Sequence, residues 1–209
     1  MKWECDIPSK EVIDKNKELL TKWPFLERRN IYSGEGYEGE ERFYSTEWNS
    51  WDGTGWEKIW KQFIEKLGKL WEQMPEGDAK KNFQIYDSKE KYGTLRISLS
   101  PHTDEMSDLV SAVSALSGWT CYCCGKQPHD SKRRRLIWES KGWICPYCKD
   151  CAKKYFSTYF ERDYKVKPKL EKGAWKEDFN RQTHKGSFSY RSYGKEGWVK
   201  HELKELEDF

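Results

Sequence analysis

The chain has 209 residues, enough for one large domain or two small ones, and only 36% of them are hydrophobic. Mean hydropathy is −1.05 and no apolar run approaches the roughly 20 residues of a membrane span, which excludes a membrane helix and leads us to expect a soluble protein. Net charge is +3 but unevenly spread: residues 1–118 carry −5, residues 119–172 carry +8, and residues 173–209 balance. This asymmetry points to an acidic partner for the middle segment or to contact between the two halves. Twelve tryptophans and twelve tyrosines offset the shortage of aliphatics, since each ring buries about 150–250 Å².

In chain order, residues 1–8 read as irregular, and Cys5 as a bystander thiol. Ser9 can cap a helix running to about Lys22, with Val12, Ile13, Leu19 and Leu20 apolar, and Pro24 stops it. Residues 33–41 are rich in glycine and glutamate and predict a loop, and residues 41–48 a short strand. Thr54 and Glu57 have the spacing of a capping box. From Trp56, apolar residues then recur every three or four positions through Ile59, Trp60, Phe63, Ile64, Leu67, Leu70 and Trp71. This stripe reads as a core helix, ended at Met74-Pro75. Residues 82–100 predict a β-hairpin that turns near KEKYG, with Phe83, Ile85, Leu95, Ile97 and Leu99 inward. Thr103 opens another helix, with Met106, Leu109, Val110, Val113 and Leu116 apolar and Gly118 as its C′ residue. It leads straight into the next segment, so no flexible linker is expected there.

Six of the seven cysteines lie between Thr120 and Phe156. Cys121 and Cys124 are spaced C-x2-C with Gly125 following; Cys145, Cys148 and Cys151 form two overlapping C-x2-C pairs. Two such pairs can converge their thiolates on one tetrahedral ion with bonds of about 2.3 Å, so the spacing predicts a structural Zn2+ site. Between the clusters, Leu136 and Trp138, the turn Ser140-Lys141-Gly142, and Trp143-Ile144 read as a hairpin. Ala152, Tyr155, Phe156 and Tyr159 then recur at helical spacing. A knuckle, a hairpin and a helix bearing the last ligands make a treble-clef-like arrangement. The favoured ligands are Cys121, Cys124, Cys148 and Cys151, with Cys145 the rival of Cys151; Cys123 should point away. A disulfide framework is the competing use of six cysteines, but the paired spacing and the lack of a signal-like leader favour a metal and an intracellular setting.

The fold class expected is therefore α+β, helices with a β-hairpin packed on a treble-clef-like zinc module. The regions are 1–118, a helical and hairpin N-terminal part; 119–164, the zinc module; and 165–209, an irregular aromatic and basic tail in which residues 198–207 can form a short helix.

The segments KELLTKWPFLERRN, GTGWEKIW, KEKYGTLR and TCYCCGK…KGWICPYCKDC, in this order, resemble a group of uncharacterised bacteriophage and prophage proteins. The resemblance covers roughly residues 16–153. It implies cysteines at 121, 124 and 148, cysteine or histidine at 151, and commonly serine at 145, which demotes Cys145 as a ligand. It implies no activity, and it places the protein in the cytoplasm of an infected or lysogenic bacterial host. The insert QPHDSKRRRLIWES and the tail depart from the group's pattern.

The leading functional expectation is a binding protein without catalysis. Lys132, Arg133, Arg134 and Arg135 run into the hairpin beside Trp138 and Trp143, and Lys149, Lys153 and Lys154 follow on the helix. Cations beside aromatic rings neutralise phosphates and stack on bases, so nucleic acid or a host nucleoprotein is the expected partner, with no small-molecule substrate. The bland reading of the arginine run is a solvated strand edge that resists aggregation. An alternative is a phage inhibitor of a host defence protein, acting by protein contact through the acidic first half. A second alternative is an HNH-like metal-dependent nuclease using His129 and Asp130. Against it, residues 149–165 hold no histidine, and four thiolates leave no open position for an activated water.

Overall fold

The computed structural model describes residues 7–29, 35–128, 137–139, 145–152, 154, 189–194 and 197–202. It is a mixed α and β structure in which three long helices and a β-hairpin enclose an aromatic core. No helix among the described residues is long and apolar enough to cross a membrane.

Helix α1 spans Lys10–Lys22 and is capped by Ser9, whose hydroxyl accepts from the Val12 amide at 3.4 Å. Ile13 and Leu20 face the core, whereas Val12, expected inside, is exposed. Asn16 is buried instead, and its amide donates to the Phe43 carbonyl at 2.8 Å, so the polar group goes inside with its bond made. Pro24–Leu26 makes a 3-10 turn. The strand expected at 41–48 is absent. Gly39–Phe43 and Glu47–Asn49 are 3-10 turns, because Thr46 and Asn49 bond to each other's backbone and side chain and draw the chain into a local cap.

Beside this cap, Ser50 donates to the Glu47 carboxylate at 2.7 Å and Arg28 lies 3.6 Å from it. Burial raises the Glu47 carboxyl above its ordinary value of 4.5, and outweighs the lowering by Ser50 and Arg28. The folded state then holds this proton more tightly than the unfolded chain. Its contribution to stability is therefore present in acid and is lost as pH rises from about 4.5 through the raised folded value. Glu47→Gln is expected to flatten that part of the profile, read as urea midpoints between pH 4 and pH 7.

Helix α2 spans Glu57–Glu72 and buries Trp60, Phe63, Ile64 and Leu67 completely. The expected Thr54–Glu57 capping box does not form. The helix starts later: Thr54 Oγ1 accepts from the Trp56 amide two residues on, and Glu57 accepts from the Gly53 amide. The indole N–H of Trp60 donates to the Glu47 carbonyl at 2.6 Å, and that of Trp23 to Glu72 at 3.0 Å. The Trp23 indole lies against Gly68, where a Cβ would sit inside 3.0 Å of its ring. Alanine has the better helix propensity by about 1 kcal/mol, but overpacking here costs about 1–3 kcal/mol. Gly68→Ala is expected to lower stability by up to about 2 kcal/mol in chemical denaturation, the clash at the Trp23 ring offsetting or exceeding the propensity gain.

A short helix α3, Asp78–Lys81, leads into strands β1, Gln84–Lys91, and β2, Thr94–Ser100, which pair antiparallel. Tyr92 and Gly93 both have positive φ, 53° and 75°, as a two-residue type I′ turn requires, so the turn sits at the end of KEKYG. A bulge between Ile85 and Asp87 shifts the register. Ile85, Leu95 and Ile97 face the core. Helix α4, Asp104–Ser117, is capped by Thr103, which accepts from the Met106 amide, and packs on α2 and β2. Gly118 is not the left-handed C′ residue expected: its φ is −65°, and two further turns, Trp119 N–H to Leu116 and Thr120 N–H to Ser117, carry the chain into the knuckle.

In the second hairpin, strand β3, Trp138–Glu139, pairs antiparallel with β4, Pro146–Tyr147; Leu136, the turn expected at 140–142 and Trp143-Ile144 lie outside the described residues. Residues 149–152 and 154 are helical, as expected after Cys148. In the tail, β5, Ser189–Gly194, pairs with β6, Gly197–Glu202, where residues 198–207 were expected to be helical. Tyr190, Tyr193, Trp198 and Val199 favour strand, and glycines at 194 and 197 close the pair.

Candidate metal centre

The two cysteine clusters meet. The sulfurs of Cys121, Cys124, Cys148 and Cys151 all lie within 4.8 Å of one another, and those of Cys124 and Cys148 are 3.6 Å apart. The cluster can hold a metal ion. Four sulfurs at about 2.3 Å from a tetrahedral centre are separated by about 3.8 Å, so the observed spacing fits such an ion closely. No disulfide joins the described cysteines, and 3.6 Å is well beyond an S–S bond.

Backbone bonds build the knuckle. The Cys121 amide donates to the Lys126 carbonyl at 2.8 Å, and Gly125 donates back to Cys121 at 2.9 Å. Gly125 takes φ 73°, which a side chain would resist at this turn. Cys148 stands at the start of the closing helical turn, where Ala152 N–H bonds its carbonyl at 2.9 Å, and Cys151 comes from the same turn. Cys123 is exposed and outside the four, as expected. Cys145 is also outside them. It is buried with Trp138, Tyr147 and Ala152 in a small apolar cluster, and so is a packing residue.

Two of the four thiols resist ionisation. Burial pushes Cys121 up to about 11, and burial together with the Cys148 and Cys124 thiols pushes Cys151 up as well. Burial also acts to raise Cys124, but hydrogen bonds from the Lys126 amide and the other thiols outweigh it and hold that group down. A divalent cation among the four sulfurs would reverse this balance, because the thiolates would then be its ligands.

The knuckle is tied into the main core at three places. Gly55 N–H donates to the Tyr122 carbonyl at 2.5 Å, and the Trp56 indole donates to the Thr120 carbonyl at 3.1 Å. The Tyr122 ring meets Trp56 edge-on at 5.1 Å, while the Tyr122 amide bonds the Pro146 carbonyl of β4 at 2.7 Å. One tyrosine in the knuckle thus bridges the core and the second cysteine cluster. Sequence reasoning missed this role for Gly55 and Trp56; the sole signal was the GTGW run, read as a helix start. A Cβ on Gly55 would fall inside 3.0 Å of the Cys121 carbonyl, the Gly125 amide and the Cys124 amide, all knuckle backbone. Gly55→Ala is therefore expected to displace the ligands and weaken metal binding about 10–100-fold, measured by competition with a chromophoric chelator.

Of the expected contact residues, Trp138 is corrected. It is buried in the Cys145 cluster, so its ring packs and does not project to a partner. Lys149 and Lys154 are exposed on the closing helical residues. Lys132, Arg133, Arg134, Arg135, Trp143 and Lys153 lie outside the described residues, as do His129 and Asp130. Between α2 and the knuckle runs an open cleft of about 860 Å³ lined by Lys58, Lys61, Gln62, Cys123 and Gln127. No protein-family model, curated protein or solved structure matches the chain.

Proposed function

We propose that Cys121, Cys124, Cys148 and Cys151 hold one zinc ion, and that residues 119–164 form a treble-clef-like module around it. Zinc suits four thiolates at tetrahedral spacing, and it would supply folding energy and no chemistry of its own. The protein is then a phage-type accessory binding protein of the bacterial host cytoplasm. It engages nucleic acid or a nucleoprotein through the basic segment of the module, Lys132, Arg133, Arg134 and Arg135 with Trp143, and through Lys149, Lys153 and Lys154. The observation that carries this reading is the four-sulfur cluster in the most basic of the three segments of the chain, with its knuckle tied to the core. A non-catalytic role follows from the ligand count, because four thiolates fill a tetrahedral metal and leave no place for water.

Pull-down from host lysate, with and without nuclease, tests it. Partners lost after nuclease treatment, and binding that weakens steeply with salt, support the reading. A protein partner retained after nuclease and insensitive to salt would instead favour the inhibitor reading, for which the net charge of −5 on residues 1–118 is the supporting feature. Plasmid cleavage with Mg2+ or Mn2+ that is lost in His129→Ala would overturn the non-catalytic role.

A further inference from the structure

The acidic first half has a cationic face on its hairpin. Lys89 on β1 pairs directly with Arg96 on β2, so two positive side chains stand opposite each other on the outer surface of the hairpin. Both are exposed, and Lys91 follows two residues beyond Lys89 on the same face. Like charges directly opposite on paired strands repel, and here Asp87, ion-paired to Lys89, offsets part of that repulsion. Asp87 pairs with Lys89, but neither Lys91 nor Arg96 has a carboxylate partner among the described residues.

Aromatic rings flank these cations. Tyr86 is 58% exposed and Tyr92 is 70% exposed, unlike the buried tryptophans of the core. Tyr86 follows the buried Ile85 and is exposed, and the bulge there sets Asp87 opposite the exposed Ser98 on that same outer side. Tyr92 is held at the tip by the turn, with the Lys91 ammonium 5.6 Å from its ring centre. Tyr86 and Tyr92 stand roughly 20 Å apart along the strand, at about 3.3 Å per residue.

We infer that the outer face of the β1–β2 hairpin is a second binding surface, for single-stranded nucleic acid, with Lys89, Lys91 and Arg96 on the phosphates and Tyr86 and Tyr92 stacked on bases. An anion placed between Lys89 and Arg96 relieves their repulsion, which gives the opposed pair a use. Single strands fit better than duplex, because only unpaired bases offer their faces to the two tyrosines. The surface stands on its own residues and does not need the basic run of the zinc module.

The test uses the full chain with a fluorescein-labelled 20-nucleotide single strand and the matching duplex, read by anisotropy between 50 and 200 mM salt. Three phosphate contacts contribute about −2 to the slope of log affinity against log salt on single strands. The triple variant Lys89→Ala, Lys91→Ala, Arg96→Ala should lose that part of the slope, with an unchanged or higher urea midpoint. Tyr86→Ala with Tyr92→Ala should weaken single-strand binding at least tenfold at every salt concentration and leave the slope alone. Arg133→Ala, Arg134→Ala, Arg135→Ala serves as the parallel variant of the zinc module. Unchanged binding by the hairpin variant, with loss only in the Arg133–Arg135 variant, overturns this inference and keeps the proposed function. Equal binding to duplex, indifferent to both tyrosines, also overturns it. Loss in the hairpin variant alone supports it and counts against the zinc-module surface. No binding of either probe by the wild-type chain sinks both.

Discussion

Cys124→Ser and Cys148→Ser are each expected to give a chain that retains no metal and fails to accumulate in soluble form, while Cys123→Ser behaves as wild type. The sulfurs of the first two are 3.6 Å apart and join the two halves of the cluster. Losing either leaves three ligands and a severed link between the knuckle and the closing helical turn. Structural zinc contributes on the order of 10–16 kcal/mol in apparent terms, against a total stability of about 5–15 kcal/mol for a typical domain. No other single change in this chain is expected to act on that scale. Cys145→Ser should fall between the extremes, since it puts a hydroxyl into a small apolar cluster but leaves the four sulfurs in place. Soluble yield, metal content by elemental analysis, and the thermal midpoint with and without a strong chelator are the readouts. Equal damage from Cys123→Ser and Cys124→Ser would contradict the ligand assignment, and folded protein free of metal would end the zinc reading.

The second large effect is expected at Trp56. Its side chain is fully buried, packs against Trp51 at 5.3 Å and Tyr122 at 5.1 Å, and donates its indole N–H to Thr120. Trp56→Ala removes a large ring from the junction between core and knuckle and should cost about 3–5 kcal/mol in urea unfolding. Trp56→Phe keeps most of the apolar volume but leaves the buried Thr120 carbonyl without its donor, at about 1–3 kcal/mol. If the indole couples the two parts, its effect and the effect of chelation are non-additive: Trp56→Ala should cost less in chelator than in metal-replete buffer. Additive losses would mean that core and metal centre unfold independently.

The stripe from Trp56 to Leu67 was legible because a helix repeats locally, and six or more apolar residues at that spacing leave little room for another reading. The hairpin at 84–100 was legible for the same reason, with alternation on both arms and a Tyr-Gly turn that suits type I′ geometry. Short segments fared worse. Residues 41–48 have strand-like composition, yet a cap between Thr46 and Asn49 bends them into a 3-10 turn. Thr54 and Glu57 match the capping box, but Thr54 bonds the Trp56 amide instead, and the helix begins afterwards. Residues 198–202 alternate weakly enough to read as helix until β5 is laid beside them. In each case a few local bonds or one pairing partner outweighed the intrinsic preference.

What the sequence by itself determined was the set of long elements and the convergence of the two cysteine clusters, with Cys145 and Cys151 as rivals, because periodicity and C-x2-C spacing constrain side chains a few residues apart. The tertiary structure alone decided that Cys145 and Trp138 pack together in a buried cluster, that Lys89 faces Arg96, and that Gly55 and Trp56 hold the knuckle. The physical reason is range. Trp56 and Thr120 are 64 residues apart, and nothing in the pattern around either one encodes the other. That contact exists only once α2 and α4 have packed and carried the chain ends to the same place.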